Sequence, residues 1–375
     1  MFKLTHRLEH LTLILTYACQ LKCKMCSQVE GRTNATNSNT ILKQLPFDLV
    51  KQRLEESEGL RSVYLHGGEP LLHQDIGPLL KYLSDRGLSV SFSTNGLLLK
   101  KFVVPIVESR VNMVSISMDS YLADVHDSIR GMDGCMSKAL EGIDCLLRER
   151  KTTGSALPRV KIHFTITPDN YRTMIDYYDY FAVRFPEVDI IKFHFPRFIN
   201  DSMASEYVKI MHNHFGTEVL SGGDYFSTGD LNKGYETIDS ELIYNQLREL
   251  LGRPKVAVLG PLAKDEIRRY FYGPHVRPNN RKCACFDTFA VQPSGQVVSC
   301  ADYPDYVLGN IHEQTLSEVW TGMRAKRWRR FLATRGNFGV LTKCSLLYKT
   351  VYAPVVKQSA TRRLFEVLQS LTKTS

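Results

Sequence analysis

The sequence has no apolar run approaching the ~20 residues that a membrane-spanning helix requires. It also lacks a secretory signal, because the apolar stretch from Leu11 to Thr16 is too short for a signal core and no small-residue cleavage site follows it. We therefore expect a cytoplasmic protein. No segment is biased enough in composition to predict long disorder, since 43% of the 375 residues are hydrophobic and 23% are charged.

Cysteine, by contrast, is plentiful, with nine residues in the chain. Disulfides are rare in the cytoplasm, so clustered cysteines there indicate metal or redox chemistry. The formal net charge of +9 favours an anionic partner, although charge alone does not choose among a metabolite, a nucleotide, a nucleic acid and a membrane surface.

Short apolar runs alternate with helical patterns from Leu11 to about Pro196. The predicted strands are 11–17, 63–66, 89–93, 113–118, 161–167 and 190–195, and the predicted helices lie near 48–58, 76–83, 101–109, 136–149 and 171–184. Such alternation predicts an α/β fold with a parallel sheet and helices outside it. Six units are fewer than the eight of a complete barrel, so residues 1–200 are predicted to form an open, partial (β/α)6 barrel.

The remainder of the chain breaks this rhythm. Residues 201–282 are predicted to be a bridging region with helices near 238–251 and 263–272, and residues 283–350 a second cysteine-containing domain. Residues 351–375 are predicted to be an amphipathic helix that docks on the protein, with a membrane surface as the less favoured alternative. The basic run at 324–335 is interpreted as a solvated helix rather than a nucleic-acid surface.

Cys19, Cys23 and Cys26 directly follow the first predicted strand. Three closely spaced thiolates can bind three irons of a [4Fe–4S] cluster and leave the fourth iron open to a non-protein ligand. In a parallel barrel this loop would lie at the carboxyl ends of the strands, where active sites form. A zinc site would usually need four ligands, and structural cysteines have no reason to bunch after a strand. We therefore favour a catalytic cluster.

The spacing of these cysteines, together with His66-Gly67-Gly68-Glu69-Pro70, resembles the signatures of the radical S-adenosylmethionine (SAM) superfamily. The resemblance covers roughly residues 11–200. It implies that the methionine part of SAM chelates the fourth iron and that the reduced cluster cleaves SAM to a 5′-deoxyadenosyl radical. It also implies an electron donor of the flavodoxin or ferredoxin type.

The same resemblance implies a set of SAM contacts. Glu69 and the adjoining backbone of Gly67 and Gly68 would hold the methionine amine, and Arg130 would pair with the SAM carboxylate. Further contacts are expected at polar residues that end the third, fourth and fifth strands, namely Ser93, Asn95, Ser117, Asp119 and Thr165. Turn or helix-cap roles remain open for several of these, as does a surface charge for Arg130.

The second cysteine group comprises Cys283, Cys285, Cys300 and Cys344. A predicted hairpin turning at Gly295 separates Cys285 from Cys300. This arrangement resembles the auxiliary-cluster extension called SPASM, or its shorter relative, twitch. Leu347 stands where a further cysteine would be usual, so the resemblance implies one auxiliary [4Fe–4S] cluster with Cys285, Cys300 and Cys344 as ligands. Cys283 is a candidate fourth ligand. Zinc and a metal-free domain are the alternatives.

These observations predict a radical SAM oxidoreductase that abstracts hydrogen from a small-molecule substrate, such as a sugar or nucleotide conjugate. Net oxidation is the leading outcome, and epimerisation would need a thiol hydrogen donor, for which Cys135 at a helix start is the candidate. A ribosomal-peptide maturase is less favoured, since little chain precedes the first strand for a leader-binding domain. An iron–sulfur electron carrier or redox sensor is the alternative from another class.

Overall fold

The computed structural model describes residues 7–26, 43–197, 201–219, 234–273, 283–302, 304–335 and 350–353. Its strands are β1 His10–Ile14, β2 Ser62–His66, β3 Ser89–Thr94, β4 Met113–Ser117, β5 Arg159–Thr165, β6 Ile190–His194, β7 Val256–Leu259, β8 Thr288–Val291, β9 Gln296–Val298, β10 Val307–Asn310 and β11 Thr350–Tyr352. Its α-helices are α1 Phe47–Glu55, α2 Ile76–Asp85, α3 Leu99–Glu108, α4 Ala123–Arg130, α5 Cys135–Thr152, α6 Met174–Arg184, α7 Asp201–Ile210, α8 Ser240–Leu250, α9 Lys264–Tyr272, α10 Leu316–Thr321 and α11 Met323–Arg335.

The strands of the barrel alternate fully buried and half-buried residues. In β5, Val160, Ile162 and Phe164 are buried, whereas the residues between them are only half-buried. Successive strand side chains point to opposite faces of the sheet, so one face of β5 meets the helices and the other lines the interior of the barrel. The helices cover the outer face with amphipathic surfaces, as α2 does with Ile76, Leu79, Leu80 and Leu83.

One continuous sheet runs through the described residues in the order β10-β9-β8-β1-β2-β3-β4-β5-β6-β7-β11. The strands from β1 to β7 pair in parallel with their chain neighbours, and β8 pairs in parallel with the other edge of β1. The predicted α/β fold of the partial-barrel type is confirmed. The carboxyl ends of β1 to β6 therefore meet at one rim, where the predicted site residues lie.

Three details differ from the sequence prediction. The bridging region 201–282 contributes both helices near the predicted positions, but also β7, a seventh parallel strand that was not predicted. The second cysteine region is continuous with the barrel sheet, because β8 pairs with β1. Of residues 351–375, Val351 and Tyr352 belong to β11, which pairs with β7, and the predicted helix otherwise lies outside the described residues.

The basic helix α11 packs against the protein through several of its residues. Arg329 is buried, donates a hydrogen bond to the Trp320 carbonyl at 2.7 Å and stacks over the Trp320 ring at 4.2 Å. Trp328 is also buried. The basic run is thus not one continuous cationic surface. Among the described helices, none is both long enough and apolar enough to cross a bilayer.

Candidate functional site

The loop after β1 carries the first three cysteines. Cys23 is buried and Cys26 is half-buried, and the Cys26 N–H donates to the Cys23 carbonyl at 3.1 Å. Although Cys19 is exposed, desolvation by the surrounding loop raises the pKa of its thiol to about 12, and the neighbouring charges of Glu69, Cys23 and Cys26 raise it further. Removing water and grouping anions both disfavour a bare thiolate. A bound cationic metal would reverse that balance, so these residues fit an iron–sulfur cluster.

The two glycines after β2 press against the cysteine loop. A Cβ on Gly68 would lie 2.3 Å from the Ala18 carbonyl oxygen, and a Cβ on Gly67, where φ is +147°, would lie 2.3 Å from the Thr16 carbonyl oxygen. The Gly68 N–H donates to the Thr16 carbonyl at 2.8 Å. The space that a Cβ would need at either glycine is thus filled by the backbone that leads into Cys19. The predicted contact of these glycines with the SAM amine stays a prediction.

Glu69 is fully buried behind the cysteine loop. Its carboxylate accepts hydrogen bonds from the Leu71 N–H at 3.1 Å, the Thr94 hydroxyl at 2.8 Å and the Asn95 N–H at 2.8 Å. Burial nevertheless outweighs these donors and raises the pKa of Glu69 to about 7. A carboxylate held in this way would gain from a cationic partner such as an ammonium group.

Asn95 connects Glu69 to the cysteine loop. Its backbone N–H donates a hydrogen bond to the Glu69 carboxylate. Its side-chain amide donates to the Cys19 Sγ at 3.7 Å and to the Gln20 side chain at 3.2 Å. Ser93 lies one residue before the end of β3, and its hydroxyl is 2.6 Å from the Tyr64 hydroxyl of β2. The two predicted contacts near the end of β3 thus have different partners: Asn95 lies beside the cysteines and Ser93 contacts Tyr64.

Arg130 and Asp119 form a buried ion pair beside Cys23. The Arg130 guanidinium lies 2.5 Å from the Asp119 carboxylate and donates to the Cys23 Sγ at 3.7 Å. Arg130 Nε has no hydrogen-bond partner among the described residues. The other Asp119 oxygen accepts from the Thr165 N–H at 2.8 Å. The surface-charge interpretation of Arg130 is therefore wrong, since only 9% of the residue is exposed.

This network leaves the predicted contacts at Ser117, Asp119 and Thr165 with different surroundings. The Asp119 carboxylate is occupied by Arg130 and Thr165, so it orients Arg130 rather than presenting free oxygens to a ligand. Ser117 and Thr165 are half-buried and face the barrel interior. Asp119 does not cap the segment at Tyr121; the Ser120 hydroxyl accepts from the Leu122 N–H instead.

Cys135 starts α5 and packs in a small apolar cluster with Cys23 and Leu21. Its thiol lies 3.1 Å from the Asp127 carboxylate, to which it donates. A helix start usually lowers the pKa of a thiol, but burial, with the contribution of Asp127, raises the pKa of Cys135 to about 12. The thiol therefore keeps its proton, and its role as a hydrogen donor stays a prediction.

The second cysteine group assembles around Cys285. Its thiol lies within hydrogen-bond reach of both Cys283 and Cys300, and these contacts, with burial, raise the pKa of Cys285 well above its usual range. Two thiols that both contact a third fit a metal–sulfur centre. The structure thus brings Cys283, the candidate fourth ligand, together with two of the three main candidates. Cys344 lies outside the described residues.

The barrel interior between the two cysteine groups is polar. Asp302, two residues after Cys300, forms an ion pair with Arg197 beyond the end of β6. The charges of Arg197 and Asp302 affect the pKa values of His66 and Tyr64 of β2. The interior face of β5 and β6 adds four basic side chains, which are the half-buried Lys161, His163 and Lys192 and the buried His194. Their signal in the sequence was polar alternation within apolar strands.

Comparison with known proteins matches residues 13–180 to the radical SAM superfamily and residues 283–345 to SPASM, an iron–sulfur cluster-binding domain. A probable GTP 3′,8-cyclase of Sulfolobus acidocaldarius is 29% identical over 50% of this chain and 56% of its own length. The chain spans about half the length of the cyclases that it matches. A Pyrococcus furiosus protein, described as the tungsten-containing aldehyde ferredoxin oxidoreductase cofactor-modifying protein, is 22% identical over 90% of this chain and 88% of its own length.

Among solved structures, Streptococcus suis SuiB bound to the precursor peptide SuiA is similar in fold, with a TM-score of 0.55 and 17% identity over 86% of this chain and 66% of SuiB. The two matched domains establish the cofactor classes. A radical SAM domain uses SAM with a [4Fe–4S] cluster, and a SPASM domain holds auxiliary iron–sulfur clusters. The thiols of the two cysteine groups fit these cofactors.

Proposed function

We propose that this chain, a radical SAM enzyme with a C-terminal SPASM domain, abstracts a hydrogen atom from a small substrate bound inside the barrel and oxidises that substrate. The observation that carries the proposal is the position of Glu69. Its buried carboxylate shares Asn95 with the Cys19 thiol, so one strand end links the predicted amine-binding group to the predicted cluster.

When bound to Cys19, Cys23 and Cys26, a reduced [4Fe–4S] cluster supplies the electron that cleaves SAM to methionine and a 5′-deoxyadenosyl radical. The Glu69 carboxylate would accept a hydrogen bond from the SAM ammonium group. The positive charge of that group would keep the Glu69 carboxylate ionised at neutral pH despite its burial. Arg130 would pair with the SAM carboxylate through N–H groups on its open side, while Asp119 fixes the orientation of its guanidinium.

An auxiliary cluster would be held by Cys283, Cys285 and Cys300, with Cys344 as a further candidate ligand. The charge of Asp302 affects the pKa of Cys283 and also that of His66 in the barrel. This shared effect supports a position of the auxiliary cluster near the barrel interior. In the oxidation that we propose, the substrate would give one hydrogen atom to the 5′-deoxyadenosyl radical and one proton to solvent. A cluster held by these cysteines would supply the acceptor for the second electron. A flavodoxin- or ferredoxin-type protein would supply the electron for SAM cleavage.

Glu69→Gln is expected to weaken SAM binding about 10- to 100-fold, because a charge-assisted hydrogen bond is replaced by a neutral one. The measurement is the concentration of SAM that half-saturates the formation of 5′-deoxyadenosine by the reconstituted, dithionite-reduced protein. Thermal unfolding of the variant checks that the hydrogen bonds from Leu71, Thr94 and Asn95 still support the fold.

Glu141→Gln is the matched control, since Glu141 is exposed and pairs only with Lys100 among the described residues. It should leave the SAM dependence unchanged. If Glu69→Gln behaves like this control, Glu69 does not hold the ammonium. If the unchanged protein forms no 5′-deoxyadenosine although its iron is intact, the alternative of an electron carrier or redox sensor is correct.

A peptide substrate is the second candidate, favoured by the fold shared with SuiB, whose structure contains a precursor peptide. Epimerisation is the second reaction type, and it would need Cys135 to turn from Asp127 toward the substrate. Candidate substrates labelled with deuterium separate these possibilities. Deuterium recovered in 5′-deoxyadenosine identifies the substrate, and its mass identifies the outcome: a product lighter by two hydrogens indicates oxidation, whereas an unchanged hydrogen count indicates epimerisation.

A further inference from the structure

The interior face of β5 and β6 carries a compact group of basic side chains. Lys192 pairs with His163 across the two strands, and the His163 and His194 rings lie 4.9 Å apart. Lys161 lies on the same face of β5 as His163, two residues earlier in the strand. The opposite face is apolar, and Phe164 and Phe193 contact Tyr177 of α6 there. The four basic residues, which we call the basic cluster, thus point away from the helices and into the barrel.

The lysine charges of the basic cluster are not balanced by carboxylates. Each lysine ion pair in the described part of the chain involves an exposed lysine on the outer surface: Lys24, Lys81, Lys100 and Lys264. Lys161 and Lys192 form no such pair within the described ranges. The nearby Asp302 carboxylate is already paired with Arg197. The interior of the barrel therefore has an excess of positive charge.

Burial and repulsion by nearby cationic side chains lower the pKa of every member of the basic cluster. Burial, with repulsion from Lys161 and Arg197, lowers the pKa of Lys192 to about 7. Burial and Arg159 lower the pKa of Lys161 to about 8. The pKa of His163 and that of His194 are lowered well below their usual range, so both rings are neutral at pH 7. His163 Nε2 is buried and has no hydrogen-bond partner among the described residues.

We propose that Lys161, Lys192 and His163 bind an oxyanion of the substrate, a phosphate or a carboxylate group, inside the barrel. The inference deepens the proposed function and rests on it, since it defines the substrate class of the same site. Two ammonium groups without counter-ions would pair with the anion, and His163 Nε2 would gain a hydrogen-bond partner. The rest of the substrate would then extend along the interior between the two cysteine groups.

The test uses radiolabelled sulfate in equilibrium dialysis with the reconstituted full chain. Lys161→Met and Lys192→Met are each expected to weaken sulfate binding about tenfold, the effect of losing one charge-assisted contact. Lys192→Arg keeps the charge and should retain binding. The control is Lys81→Met, an exposed lysine of α2, which should change the affinity less than twofold. Methionine retains most of the side-chain length, and removing a desolvated charge should not lower the melting temperature.

The pH dependence provides a second readout of the same site. Sulfate keeps its charge between pH 6 and pH 9, and both histidines of the basic cluster are neutral throughout this range. As pH rises above about 7, the free protein loses the Lys192 proton and must regain it to bind the anion. Affinity should therefore fall by about tenfold per pH unit between the pKa of Lys192 and that of Lys161, and by about a hundredfold per pH unit above both, where two protons must be regained. Lys192→Arg should remove the decline below the Lys161 pKa and leave about tenfold per pH unit above it.

Competitors distinguish the two sources of the oxyanion: displacement by methyl phosphate indicates a phosphorylated substrate, and displacement by malonate indicates a carboxylate. Equal sulfate affinity in the wild type, both methionine variants and the Lys81 control would overturn the inference. So would a lack of displacement by either competitor. Formation of 5′-deoxyadenosine without substrate is measured in parallel. Its absence in the wild type would refute the proposed function, while the sulfate measurements would still decide whether the oxyanion site exists.

Discussion

Replacing Cys19, Cys23 and Cys26 together by alanine is expected to abolish SAM cleavage while leaving about four irons per chain. The triad supplies the thiols after β1, and the remaining iron would be held by the group around Cys285, whose thiol contacts those of Cys283 and Cys300. The measurement combines iron and sulfide analysis of the reconstituted protein with chromatographic detection of 5′-deoxyadenosine after reduction by dithionite.

The reciprocal variant replaces Cys283, Cys285 and Cys300 by alanine. It should also retain about four irons, but it should still form 5′-deoxyadenosine, since Glu69 and the triad are intact. Cys145→Ala, on the helix α5, serves as the matched control and should change neither quantity. A triad variant that binds no iron would refute the auxiliary cluster, and one that still cleaves SAM would refute the role of the triad.

The sequence was sufficient to predict the partial barrel because its strands and helices each carry a clear local signal. The apolar run at 63–66, the alternating pattern at 89–93 and the spacing of Ile76, Leu79, Leu80 and Leu83 all correspond to elements of the structure. The strand β7 was missed because its four residues, all buried, are too few to show a period. A buried strand of that length is recognisable only through its pairing with β6.

The site residues could be predicted where they belong to a recognisable sequence motif. They could not be predicted where their role depends on a contact between residues that are distant in the chain. Glu69 was singled out, but its hydrogen bonds from Thr94 and Asn95 cross 25 and 26 residues of chain. The basic cluster was missed for a related reason. Lysines and histidines that alternate with buried residues are typical of a solvent-facing strand surface, and only closure of the barrel turns that face inward.

Gly68→Ala is expected to displace the cysteine loop and to remove both the triad cluster and SAM cleavage. The added methyl group would lie 2.3 Å from the Ala18 carbonyl oxygen and 2.5 Å from the Tyr17 carbonyl oxygen. Because both atoms belong to the backbone, the overlap cannot be relieved by turning a side chain. Either the loop shifts, or the hydrogen bond from the Glu69 N–H to the Ala18 carbonyl, now 2.8 Å, breaks.

Overpacking of this kind costs about 1–3 kcal/mol, and the lost hydrogen bond adds about 1 kcal/mol. Gly77→Ala is the matched control: Gly77 lies in α2 with nothing within 4 Å of the added Cβ. In a helix this change should stabilise the protein by about 0.5–1 kcal/mol. Urea unfolding under anaerobic conditions, iron content and 5′-deoxyadenosine formation are measured for both variants. Equal results for Gly68→Ala and Gly77→Ala would contradict the close approach of the two loops. Loss of triad iron in Gly68→Ala alone would instead mean that this glycine acts by bringing Cys19 and Glu69 together, and not by leaving space for SAM.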